Sequence, residues 1–131
     1  MHVPDFDQIV ERAFRNIPEE FRQRMQNIAV VVEDEPTPAQ LSERGVPPGS
    51  TLLGLYEGQP LTQRSSFDLF RMPDRITIFQ RPHERRAHSR EELERSVEQT
   101  LWHEIAHYLG MDEHQVRAAE SMRRRRRLWP H

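Results

Sequence analysis

One helix has both of its ends written into the sequence, and it constrains this chain more than any other feature. Ser89 can accept a hydrogen bond from the first turn, and Glu92, three residues on, matches the return half of a capping box. Leu93, Val97 and Leu101 set an apolar stripe at helical spacing, which Ile105 and Ala106 extend. Gly110 ends the helix, because the residue after a helix often takes a positive φ that glycine adopts without strain. The rest of the chain has to supply the surface that buries this stripe.

The other segments predict that surface. Phe6, Ile9, Val10, Ala13 and Phe14 recur at i, i+3 and i+4, the spacing of an amphipathic helix, with Asp5 as its cap and Gln8 as the return partner. Pro18 suits the first turn of a short second helical piece that reaches about Met25. Ile28 to Val32 is a β-branched run and predicts a well-buried strand. Glu35 to Gly49 holds four prolines and reads as a loop. Leu52 to Tyr56 predicts a second strand, ended by Glu57-Gly58-Gln59-Pro60. The polar stretch from there to Asp74 has the length of a binding or lid loop. Arg75 to Phe79 alternates and predicts a third strand, and Pro82 to His88 reads as a polar connection. Asp112 with Gln115 caps a final helix that runs into the arginines. The expectation is a single α+β domain over residues 1–131: a small mixed β-sheet packed on the long helix, N-terminal and C-terminal helices, and an arginine-rich tail at 123–131.

Composition removes several functions. There is no cysteine, so disulfides and thiolate metal sites are excluded, and any metal must be held by His, Asp or Glu. The N-terminus lacks a basic patch followed by an apolar stretch, and no apolar run approaches membrane-spanning length. A soluble cytoplasmic protein with no membrane partner is expected. All 19 basic residues are arginine, which reads as a compositional bias of the coding genome and not as a phosphate-binding device. Arg123 to Arg127 form a run without interleaved aromatics on a chain of net charge −2. Such a run reads as a solvated helix end that complements the macrodipole, and a nucleic-acid partner is not expected.

The chemistry sits in His103-Glu104-Ile105-Ala106-His107-Tyr108-Leu109-Gly110-Met111-Asp112-Glu113-His114. His103 and His107 are spaced i, i+4, so both imidazoles leave one side of the helix a turn apart and can chelate one divalent ion, usually zinc. Glu104 lies beside that face and suits a general base acting on water. A catalytic zinc usually takes three protein ligands, so a third must come from beyond the helix. A chain that breaks at Gly110 can fold back, which makes Asp112, Glu113, His114 and, further on, Glu120 candidates. Asp112 is already used as a cap. Tyr108 and Trp102 read as packing, and His83 and His88 as solvated loop histidines that precede the helix.

The segment HEIAHYLGMDE resembles the zincin pattern HExxHxxGxx followed by a third ligand. That ligand is histidine in metzincins and aspartate in aspzincin-type motifs. The matching position here is Glu113, a departure from both, and the resemblance implies Glu113 as the third ligand. The stretches LLGLYEGQPLTQRS and PDRITIFQRP, in that order ahead of the motif, are similar to small bacterial metallopeptidases described as minimal zincins, so the likeness covers roughly residues 5 to 120. It implies a sheet of few strands on the active-site helix, one zinc per chain and hydrolysis of peptides or unfolded protein. A strand of the sheet pairs with extended substrate in zincins, and Arg75 to Phe79 is the candidate. The alternative is a zinc-binding module that recognises peptide or protein without turnover.

Overall fold

The computed structural model describes residues 3–25, 27–58, 74–112, 114, 115, 117, 118 and 121. A three-stranded sheet forms from β1 (Ile28–Glu33), β2 (Gly54–Glu57) and β3 (Asp74–Phe79), in the order β1-β3-β2. β1 runs parallel to β3, with Val30 opposite Ile76, and β2 runs antiparallel, with Tyr56 opposite Ile76. The sheet is therefore mixed, as expected. β3 is paired on both sides, so Ile76, Thr77, Ile78 and Phe79 are all buried and only Arg75 reaches solvent. This corrects the expectation that Arg75 to Phe79 offers an edge to substrate: the central strand is paired on both sides and has no free edge. β1 is likewise not well buried; as an edge strand it is half-buried along its length, with Ala29 exposed.

Five helices accompany the sheet among the described residues: α1 (Phe6–Arg15), α2 (Glu19–Arg22), α3 (Pro38–Glu43), α4 (Gln80–Arg86) and α5 (Arg90–Tyr108). α1 buries Phe6, Ile9, Val10 and Ala13 and packs against α5. Asp5 does not cap it. Its carboxylate takes the Arg90 guanidinium at 2.7 Å instead, at the start of α5. Two segments expected to be irregular are helical. α3 starts at a full capping box, with Thr37 Oγ1 accepting from Gln40 N–H and the Gln40 side chain accepting from Thr37 N–H, and Pro38 opening the first turn. α4 tolerates Pro82 because the first turn has no intrahelical use for that N–H.

α5 begins as expected, with Ser89 Oγ accepting from Glu92 N–H at 3.1 Å. The return bond slips by one residue: Glu92 accepts from His88 N–H at 2.7 Å. Leu93, Val97, Leu101 and Ile105 are fully buried in one core with Tyr56, Ile76 and Ile78 of the sheet. Each such side chain contributes about 1.5–3 kcal/mol relative to exposure. At the far end Gly110 takes φ 70°, Met111 N–H donates to the Ala106 carbonyl and Gly110 N–H to the His107 carbonyl. These are the two bonds of a Schellman motif. Asp112 and Gln115 then exchange side-chain-to-backbone bonds at 2.8 and 2.9 Å, and residues 114, 115, 117, 118 and 121 are helical. The expected lid at 59–73, the arginine run at 123–127, Glu113 and Glu120 lie outside the described residues. Among the described residues no helix is long and apolar enough to cross a membrane.

Candidate active site

His103 and His107 project from the solvent side of α5, both exposed, between the buried Trp102, Ile105 and Ala106. Their ring centroids lie 5.4 Å apart with planes at 64°. Glu104, beside them, leans toward the sheet and is only 8% exposed. Its Oε1 accepts from Tyr56 N–H at 2.8 Å and lies 3.6 Å from His107 Nδ1. The three motif residues are thus brought together with the carboxylate tied to β2.

Gly54 makes that approach possible. A Cβ there would sit 2.5 Å from Thr100 Cγ2 and 3.3 Å from Glu104 Cγ, so only glycine lets α5 pass this close to the strand. Tyr56 points both backbone groups away from β3: Glu104 takes the N–H, and the Arg44 guanidinium donates to the carbonyl. Its hydroxyl donates to Asp74 at 3.0 Å, and its ring meets Tyr108 edge-on. Tyr108 itself is buried, with its hydroxyl on the Arg24 carbonyl at 3.4 Å, as expected of a packing residue.

A cleft of about 370 Å³ opens between β2 and α5, lined by Leu52, Gly54, Arg86, Ser96, Thr100, His103 and Glu104 among others. Behind it lies His83, which is no solvated loop histidine. It is 0% exposed, with Nδ1 at 2.7 Å from Ser96 Oγ, and Nε2 is buried without a well-formed hydrogen bond. Burial pushes its pKa from 6.5 to about 4; the Leu53 backbone opposes the fall and the nearby Arg86 charge adds to it. His88 is exposed, and its N–H serves the start of α5.

Among the described residues no group of three or more metal-ligating side chains forms. Asp112 spends its carboxylate on Gln115 N–H, and His114 is exposed in the next turn. Neither joins the two imidazoles. The donors in place still fit a divalent ion: two imidazole nitrogens at one-turn spacing, open to solvent, with a carboxylate beside them. Gly54, Arg86 and Ser96 carry no motif; a glycine inside a strand pattern is the one sequence signal that marks the close approach.

The chain matches the zincin-like metallopeptidase family over residues 25–123, a span that holds the whole sheet, the cleft and α5. It belongs to that family. Among solved structures it is similar to a conserved hypothetical protein from Thermo thermophilus, at 27% identity over 81% of this chain and 92% of that one, with a TM-score of 0.54. No curated protein matches it significantly.

Proposed function

We propose that this chain is a zinc-dependent peptidase that hydrolyses peptide bonds in the cleft between β2 and α5. The observation that carries the reading is the pair of exposed imidazoles beside a carboxylate oriented by the Tyr56 amide, in a member of a metallopeptidase family. His103 and His107 hold one zinc per chain, and Glu113, by its register in the motif, is the third ligand. A bound zinc supplies Lewis acidity, lowering the pKa of water to about 7 and polarising the carbonyl under attack.

The chain's own residues do the rest. Tyr56 N–H holds Glu104 Oε1, which leaves Oε2 to take the proton from the attacking water and pass it to the leaving amine. The Leu53 carbonyl faces β3, accepting from Phe79 N–H. β2 begins at Gly54, where strand alternation turns the backbone groups outward, to the side of the cleft this glycine lines. An extended peptide pairs there by strand addition.

A broad peptide library, read by mass spectrometry, tests the reading. Zinc-loaded protein cleaves members of it, and Glu104→Gln, still metal-loaded, loses at least about 100-fold in rate. Zinc-loaded protein that cleaves nothing contradicts the peptidase reading and favours a recognition module.

A further inference from the structure

The cleft is polarised along its length. At one end stand Glu104 and His103. Ser96, Thr100 and His103 line one face of α5, and the seven steps from His103 back to Ser96 span about 10 Å of helix. His83 Nδ1 meets Ser96 Oγ at 2.7 Å, which fixes α4 against that turn, and Arg86 follows His83 by one helical turn. Arg86 therefore stands at the opposite end of the cleft from Glu104. Its neighbours in sequence have acidic partners: Arg85 pairs with Glu35 at 2.9 Å and Arg90 with Asp5 at 2.7 Å. Arg86 has none among the described residues, and the cleft side chains near it are neutral.

The direction of β2 decides what lies along this axis. Tyr56 is bonded to Glu104 and Gly54 abuts Thr100, one turn of α5 nearer Ser96, so the strand runs from the Arg86 end toward the Glu104 end. A peptide paired antiparallel to it points its C-terminus at Arg86. At about 3.3 Å per residue, some three residues bridge the distance.

We propose that Arg86 is the carboxylate anchor of this cleft and selects peptides with a carboxylate about three residues C-terminal to the bond held at Glu104 and His103. The position of that bond rests on the peptidase reading. The carboxylate is either the peptide's own C-terminus or an Asp or Glu side chain, and both present the same fork of oxygens to a guanidinium.

Three versions of one N-terminally labelled peptide separate these sources: a free C-terminus, a C-terminal amide, and the amide with Glu at the anchoring position. Binding is read by fluorescence anisotropy on zinc-loaded Glu104→Gln protein, with and without Arg86→Gln or Arg86→Lys. Turnover is read on the wild type. Amidation is expected to weaken binding at least about tenfold. The Glu version recovers that loss if a side chain suffices and fails to if the α-carboxylate is required. Arg86→Gln abolishes the distinction between acid and amide, and Arg86→Lys keeps part of it. In turnover the amide raises KM with kcat held. Cleavage or binding indifferent to the carboxylate, a preference that survives Arg86→Gln, or no binding of any peptide overturns the assignment. Cleavage without preference leaves the peptidase reading standing. Preference without cleavage supports Arg86 and removes the peptidase reading.

Discussion

The backbone amide of Tyr56 donates to the Glu104 carboxylate at 2.8 Å, and this bond joins the outer strand of the sheet to the helix that carries the histidines. Removing the acceptor leaves a buried donor unpaired. Glu104→Ala is expected to cost about 1–3 kcal/mol, whereas Glu104→Gln keeps an oxygen for Tyr56 and costs less. Chemical denaturation of the two variants checks this; equal losses would show that the bond does not tie strand to helix.

Gly54 sets the spacing between the same two elements. Gly54→Ala is expected to cost about 1–3 kcal/mol through overpacking, because the new Cβ falls 2.5 Å from Thr100 Cγ2. Thr100→Ser removes that methyl and should recover much of the loss in the double variant. A double variant no more stable than Gly54→Ala alone argues that the clash is not with Thr100.

His83 makes stability depend on pH. Its pKa is about 4 in the folded protein against 6.5 for an ordinary histidine, so folding favours the neutral ring. The contribution is present above pH 6.5 and is lost as pH falls from there toward 4, on the order of 3 kcal/mol in total. His83→Gln cannot titrate. Its unfolding free energy should fall less steeply than the wild type's across that window, and parallel curves would contradict the assignment.

Gly110 holds φ 70° in the turn that sends the chain from His107 back toward Asp112. Gly110→Ala is expected to lower stability by about 1 kcal/mol, since a Cβ strains that conformation. If the turn also places the third ligand, zinc affinity falls more than stability does. An unchanged affinity would separate the turn from the metal.

α5 was legible in the sequence because its signals are local: a Ser89 cap, a stripe at helical spacing and Gly110 at the end. The three strands were legible by the same kind of pattern, but their order was not. Alternation at Arg75–Phe79 says nothing about which strands flank it, so it does not distinguish the central strand it forms from an edge. Asp5 has a cap's sequence context, yet Arg90, 85 residues away, takes its carboxylate. His83 sits among charged residues that suggest a loop, while packing under the cleft buries it. The helix at Pro38–Glu43 was hidden by prolines, although Thr37, Pro38 and Gln40 together spell its start. In the site, the pairing of His103 with His107 follows from helix geometry alone. The link from Glu104 to Tyr56 and the place of Arg86 arise from long-range packing that no motif encodes.

The central claim is that His103 and His107 hold a metal, and metal content tests it most directly. Protein purified without a metal-affinity step is loaded with zinc, freed of excess and measured by elemental analysis beside His103→Ala. About one zinc per chain is expected in the wild type and little in the variant. Wild-type protein that retains no zinc, or a variant that retains as much, contradicts it.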